Sequence, residues 1–299
     1  MIQAFVAGLA YALGQVGFGI WPLLFICMVP FWASLDPHRT STLREALAKG
    51  LIFGAAEYGA GYAWLWWLAD GFLSGQRAFA VFLWVLYGAW VAVGFGVHAA
   101  LTWYLWRTSR RPFLPTVSSL VVVQWLQPHL FSAEMGVGLI HAPLLAQTAE
   151  IGGPLLLTAW VASVNAAVLM IYSRMSERKT VGTFAHRSAG HAPSALDRRM
   201  NADLSGLGAS PAFCRQTLYA VGVFSVTVIA FGAYREVQLS ASDRDAPALR
   251  VGIVQANLSP SADTVERLRA HREYLALSRS LTNKAELDLI VWPESAYGP

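Results

Sequence analysis

The sequence predicts an α-helical polytopic membrane bundle of about seven spans, followed by the opening of a layered α/β domain. Three observations predict it. Hydrophobic residues make up 55% of the chain and charged residues 13%, against about 25% charged in a soluble domain, and the deficit falls between Met1 and Tyr234. Several apolar runs in that stretch are long enough to cross a bilayer, which takes roughly 20 helical residues. Lys and Arg lie almost entirely in alternate loops between those runs. The bundle therefore takes residues 1–234, and a linker with the second domain takes 235–299.

The first two spans, about Ile2–Val16 and Trp21–Leu35, are a short pair hinged at Gly17-Phe18-Gly19-Ile20-Trp21-Pro22. Met1-Ile2-Gln3 lacks the basic start of a cleaved signal peptide, so the first run is expected to be retained. The third span is expected at about Gly50–Leu73 and the fourth at Ala78–Trp106. The fifth, sixth and seventh follow at about Phe113–Phe131, Pro154–Tyr172 and Gln216–Tyr234.

The loops after spans two, four and six hold 13 Lys and Arg, and the alternate loops hold one, Arg77. The positive-inside rule then puts the amino terminus and the basic loops in the cytoplasm. Seven spans from an inside start deliver residue 235 onward to the outer side. ATP and nicotinamide cofactors are not normally supplied there, and no cofactor is expected. The net charge of +4 sits in short loops and reads as a topology signal, so no nucleic-acid partner is expected. The stretch 174–215, polar and rich in Arg, Ser and Gly, is expected to be an unstructured cytoplasmic loop.

Few polar groups fall within the spans. Glu57 lies among small residues in span three; it is either a polar contact in a lipid-binding cavity or a buried carboxyl satisfied by a neighbouring helix. His98 and Asn165 are expected to make hydrogen bonds between helices. Trp64, Trp66, Trp67 and Phe72 cluster at the predicted outer end of span three, as interfacial aromatics do, and the same rings could line a groove for acyl chains. His129, Glu134, His141 and Glu150 have spacings too irregular for a metal site. Cys27 and Cys214 show neither metal-ligand spacing nor a disulfide framework. No metal is expected.

The second domain opens with a strand at Arg250–Asn257. An amphipathic helix at Asp263–Leu281 follows, with Asp263 as a fair N-cap. A second strand runs over Leu287-Asp288-Leu289-Ile290-Val291 toward Trp292. Strand–helix–strand with apolar strands argues a layered α/β domain. Glu294 comes directly after the second strand, at the end where such folds place ligand and catalytic groups.

Val254-Gln255-Ala256-Asn257, a helix, and then Trp292-Pro293-Glu294-Ser295-Ala296 together resemble the opening of the carbon–nitrogen hydrolase (nitrilase) fold. Preceded by seven spans, the pattern resembles the apolipoprotein N-acyltransferase family, as its amino-terminal part. Phe18-Gly19-Ile20-Trp21-Pro22-Leu23, Gly59-Ala60-Gly61-Tyr62-Ala63-Trp64 and Ala149-Glu150-Ile151-Gly152-Gly153-Pro154 are similar to that family's first hairpin, its glycine-rich third span and the approach to its sixth.

The resemblance implies a nitrilase-like domain of α-β-β-α layers and a two-step acyl transfer at the outer face of the bacterial inner membrane. A cysteine thiolate takes an acyl chain from a phospholipid. The amine of a diacylglyceryl-modified apolipoprotein then accepts it. Glu294 matches the family's general base. The oxyanion lysine and nucleophilic cysteine of the family lie downstream of that glutamate. Gln255, Asn257, Glu57, Trp64 and Trp66 are candidate substrate or lipid contacts. Several features depart from the family. Asn257 to His271 carries no aromatic residue, Gln127-Pro128-His129 stands where the family tends to have Glu-Leu-Arg, and Gly136-Val137-Gly138-Leu139 stands where it tends to have a Gly-Phe-Pro-Trp-like loop. Alternative readings are a membrane-tethered amidase, a non-catalytic lipid- or lipoprotein-binding membrane protein, and a transporter-like bundle.

Overall fold

A backbone in hydrocarbon has no water to bond, so an apolar run satisfies its amides only by coiling into a helix. The computed structural model describes residues 1–37, 39–66, 76–108, 113–131, 133–187, 211–244, 247–256, 264–283 and 286–293. Helix α1 is Ile2–Gly14. A 3-10 segment, Trp21–Phe25, and helix α2, Met28–Ser34, make the return arm of the hairpin. Helices α3, Leu43–Gly61, and α4, Arg77–Thr108, follow, then α5, Phe113–Leu126. A second 3-10 segment, Met135–His141, leads through the short turn α6, Pro143–Ala146, into α7, Ala149–Arg187, and then α8, Pro211–Arg244.

Among the described residues, three helical stretches are long and apolar enough to cross a membrane by length and composition: Arg77–Thr108, Ala149–Met175 and Ala212–Ser242. Ile2–Gly14, Trp21–Ser34 and Phe113–Leu126 are shorter apolar helices.

Several boundaries differ from expectation for local reasons. Helix α3 starts seven residues before the expected Gly50, because Thr42 caps it. The Thr42 hydroxyl accepts the Glu45 N–H at 3.2 Å, and the Glu45 carboxylate reaches back to the Ser41 N–H at 3.1 Å. That is a capping-box arrangement, with the returned bond one residue upstream of the cap. Helix α7 corrects the start of the expected loop at 174–215, and helix α8 its end; 188–210 lie outside the described residues. Helix α7 runs on to Arg187, since Met175, Glu177, Arg178 and Lys179 favour helix. Near its start α7 is kinked at Gly152 and Gly153, the latter at φ 65°. Helix α8 continues unbroken through residue 244.

Packing in the first half is close because the contact positions are small. A Cβ on Gly50 would lie 2.3 Å from the Phe95 carbonyl oxygen, so α3 and α4 touch backbone to backbone there. Tyr11, Phe31, Phe53 and Phe95 fill the space between α1, α2, α3 and α4, with ring centroids 4.6–5.7 Å apart.

Hydrogen bonds sort the loops into two ends. At one end the Trp103 indole donates to the Thr40 carbonyl at 2.8 Å, and the Trp106 indole to Thr116 Oγ1 at 2.7 Å. Lys49 Nζ donates there to the Ser34 carbonyl at 2.9 Å and to Thr40 Oγ1 at 2.6 Å, and pairs with Glu45 at 3.0 Å. At the other end His141 Nε2 meets the Val16 carbonyl at 2.9 Å, and Trp90 donates to the Pro128 carbonyl at 2.8 Å. A two-point Arg235–Glu150 pair, at 2.6 and 2.8 Å, joins α8 to the start of α7 at that same end. Arg39, Arg44, Lys49 and Arg107 all belong to the first end.

Beyond α8, strand β1, Val251–Ile253, pairs parallel with β2, Leu289–Val291, in the register Val251 to Leu289 and Ile253 to Val291. Helix α9, Thr264–Thr282, is the crossover between them.

Candidate functional site

Parallel strands joined by a helix end on the same side, and ligands of such units collect beyond the strands' carboxyl ends. Here that edge carries Val254, Gln255 and Ala256 after β1, and Trp292 and Pro293 after β2. Trp292 is fixed by α9. Its indole donates to Ser278 Oγ at 2.9 Å, and its ring lies 5.5 Å from that of Tyr274 and 5.7 Å, edge-on, from that of His271. Tyr274 and Val254 are buried against Ala256, Leu281, Ile290 and Trp292. The Tyr274 hydroxyl donates to Gln255 Oε1 at 3.4 Å. The residue after Pro293 in the chain is Glu294. Glu294, Asn257, Asp263 and Lys284 lie outside the described residues, as do Trp67 and Phe72.

A second group of polar residues lies inside the bundle. Asn165 on α7 fills the gap between the first 3-10 segment and α2. Its Oδ1 accepts the Met28 N–H at 3.0 Å, and its Nδ2 donates to the Leu24 carbonyl at 2.7 Å and to the Val161 carbonyl at 2.9 Å. Gln124 on α5 does the same for the second 3-10 segment. Its Oε1 accepts the Met135 N–H at 3.1 Å while its Nε2 donates to the Tyr11 hydroxyl at 3.0 Å. Thr158 Oγ1 accepts the next amide, from Gly136, at 2.9 Å. Three side chains thus satisfy backbone groups that two broken helices leave open in a dry interior. His98 ties α2, α4 and α5. The Trp32 indole donates to its Nε2 at 2.9 Å, so the ring proton sits on Nδ1, which faces Ser119 Oγ at 3.1 Å.

Glu57 is 2% exposed, and its Oε2 has no hydrogen-bond partner among the described residues. It shares the wall of a cavity of about 10 Å³ with Phe95, His98, Gln124, Gln127 and His129, which is space for about one water. Tyr58, Tyr62 and Trp64 follow it toward the α3 end. Tyr58 stacks on Tyr62 at 5.3 Å, Tyr62 on Trp64 at 6.4 Å, and Phe131 meets Trp64 edge-on at 5.2 Å. Tyr87 closes the column from α4. These rings pack on one another, and Trp64 remains 45% exposed at the top; Trp66 is half-buried.

The four residues weighed as metal ligands separate. His141 bonds Val16, Glu150 pairs with Arg235, and Glu134 Oε2 has no hydrogen-bond partner among the described residues. His129 is half-buried and lines the small cavity beside Glu57. Cys27 lies in the bundle core and Cys214 is buried near the start of α8.

The sequence reading took Asn165 and His98 as interhelical partners, and the structure places them so. It missed Gln124 and Thr158. Both are polar residues inside apolar helices, which marks them as polar contacts within the bundle but not which backbone groups they meet.

The apolipoprotein N-acyltransferase N-terminal domain model matches residues 7–167, more than half of the chain. The chain belongs to this family. Relatives named apolipoprotein N-acyltransferase carry the likeness further along. The one from Pseudomonas syringae pv. tomato is 24% identical over 308 residues, covering 99% of this chain and 51% of the relative. The one from Rhizobium rhizogenes is 24% identical over 314 residues, covering 98% and 52%. That of Rhizobium leguminosarum bv. trifolii is 24% identical over 312 residues, covering 99% and 52%. The chain spans about half the length of the curated relatives it matches. Within the apolipoprotein N-acyltransferase family, then, it corresponds to the amino-terminal half of these relatives.

Proposed function

We propose that this chain supplies the membrane anchor and the general base of an apolipoprotein N-acyltransferase. The reaction moves a fatty acyl chain from a phospholipid to the amino-terminal amine of a diacylglyceryl-cysteine lipoprotein. The bundle makes seven spans of the bacterial inner membrane, with its basic end in the cytoplasm and the nitrilase-like domain outside.

Glu294 takes the proton of a cysteine thiol. The thiolate attacks the phospholipid ester carbonyl and expels the lysophospholipid alkoxide, which takes the proton back from Glu294. Glu294 then receives the proton of the incoming ammonium-derived amine, which attacks the thioester and releases the thiol. The cysteine, and a lysine that stabilises the oxyanion, follow the glutamate in the family's chain order. Trp292 and Gln255, held by α9, shape the strand edge beside which Glu294 acts.

The observation that carries this reading is the parallel strand–helix–strand unit that ends at Trp292-Pro293, in a chain matching this family. The test is a lipoprotein N-acylation assay with the protein expressed from its own gene. Transfer by the wild type, and its loss in Glu294→Gln with protein level unchanged, is the expected result. Hydrolysis of a soluble amide without transfer would favour a membrane-tethered amidase. Lipoprotein binding with neither reaction would favour a non-catalytic binder.

A further inference from the structure

Helix α8 is held along one side. Thr217, Val221, Ser225, Val228, Gly232 and Arg235 follow at helical spacing and are buried or half-buried. The Trp160 indole fixes this side to α7, donating to Ser225 Oγ at 2.9 Å. Further out, a Cβ on Gly232 would lie 1.8 Å from the Leu144 carbonyl oxygen, so α8 touches the backbone of the α6 turn there. Arg235 closes the contact. Its Nε donates to Glu150 Oε2 at 2.6 Å and its Nη2 to Oε1 at 2.8 Å. Glu150 stands before the Gly152-Gly153 kink, so the anchor is on the turn leading into α7 and not on its shaft.

Packing stops at this pair. Leu239 and Ser242 are the next positions of the same side, and both are exposed, as are all side chains of 236–242. The helix nonetheless runs on to Arg244. Residues 236–244, about 14 Å of helix at 1.5 Å per residue, thus project past the last contact. This stalk leads to β1, Val251–Ile253. From Ser225 to its tip is about 28 Å, so a tilt of about 10° would move the tip by about 5 Å. The Glu150 side chain is 51% exposed, so the pair adds little stability. Its two-point fork fixes direction as well as distance.

We propose that Arg235 is a positioning residue, whose fork to Glu150 aims the α8 stalk and so sets the direction in which the strand–helix–strand unit leaves the membrane. Transfer between two membrane-anchored substrates needs that aim, since misplacement by about 1 Å can cost about a hundred-fold in rate. The effect on rate rests on the acyl-transfer reading above; the aim of the stalk does not.

The test uses the protein expressed from its own gene, in vesicles of phosphatidylethanolamine and phosphatidylglycerol. Spin-labelled amino acids replace Ala78, exposed at the start of α4, and Ser242 on the stalk. Pulsed electron paramagnetic resonance should give one narrow distance distribution. Arg235→Gln and Glu150→Gln should each broaden or shift it, and the double variant should do so no more than either alone. Melting midpoints should stay unchanged; a fall would make the pair structural and overturn the proposal. In the same variants, transfer of a radiolabelled acyl chain from phospholipid to a lipoprotein should drop about ten-fold or more. Two alanines inserted after Gln238 keep the fork and turn the tip by about 200°; they should abolish transfer without lowering the midpoint. A broad distribution in the wild type, an unchanged one in the variants, or wild-type transfer from a loosened stalk would overturn the proposal. Absence of transfer in the wild type would defeat the enzymatic reading alone, and the distances would still decide the fork.

Discussion

The Asn165 side chain accepts the Met28 backbone N–H at 3.0 Å and returns an N–H to the Leu24 carbonyl at 2.7 Å. One amide on α7 thereby replaces the helical bonds lost where the hairpin changes from 3-10 to α geometry. Leucine has similar volume and neither group. Asn165→Leu should leave one donor and one acceptor unpaired, at a cost of about 1–3 kcal/mol each. Thermal unfolding in detergent, followed by tryptophan fluorescence, should show a clear drop in midpoint. Asn165→Asp, which keeps the acceptor and loses the donor, should be no better.

Glu57 buries an ionisable group whose Oε2 has no hydrogen-bond partner among the described residues. Glutamine keeps its volume and carbonyl acceptor and removes the chance of a buried charge. Glu57→Gln should therefore be neutral or stabilising by about 1 kcal/mol, whereas Glu57→Lys should prevent assembly of α3 with α1 and α4. Size-exclusion profiles and melting points of the two variants check this. A marked loss of stability in Glu57→Gln would mean that the carboxyl has a partner, such as a cation or an ordered water, that an amide cannot keep.

The hairpin and α3 are fastened at Lys49, whose ammonium bonds the Ser34 carbonyl, Thr40 Oγ1 and Glu45. Lys49→Met keeps the stem and should cost about 2 kcal/mol by orphaning buried acceptors.

The Lys49 hydrogen bond, helped by the Ser41 amide, lowers the Glu45 pKa below that of a free glutamate. A carboxyl with a depressed folded pKa binds its proton more readily when unfolded. Its contribution is full above the unfolded value, near 4.3, and fades as pH falls through the folded one. Melting points measured from pH 7 down to pH 3 should fall in the acid range, and the fall should be shallower in Glu45→Gln. The carboxylate is exposed, so the difference should be small.

How much of this was legible follows from what hydropathy can and cannot report. Apolar runs locate α1, α4, α5, α7 and α8, because the solvent around them demands helix whatever the details. The same measure misplaced the start of α3 by seven residues. The signal there was chemical: Thr42-Leu43-Arg44-Glu45 spells a capping box that hydropathy averages away. It also cut α7 short, since Met175 to Arg187 is polar yet free of proline. The strand–helix–strand unit was readable from its periodicity, and α9 lies within a residue of expectation. The match of Gln124 and Thr158 to the amides of Met135 and Gly136 was not readable. It depends on which open backbone groups a distant 3-10 segment presents.

Topology has its own check. With Cys27→Ala and Cys214→Ala as background, single cysteines at Arg39 and Arg107 should resist a membrane-impermeant maleimide added to whole cells. Cysteines at Gln147 and Gln238 should react. Labelling at Arg39 from outside would reverse the orientation.

The most direct test of the central claim is to trap the acyl-enzyme. The protein expressed from its own gene is incubated with a phospholipid radiolabelled in its acyl chain and then denatured. The account predicts covalent label that neutral hydroxylamine releases, as a thioester requires, and its absence from Glu294→Gln. Full, hydroxylamine-labile labelling of Glu294→Gln would remove Glu294 from the role of base. No label on the wild type would contradict the acyltransferase reading itself.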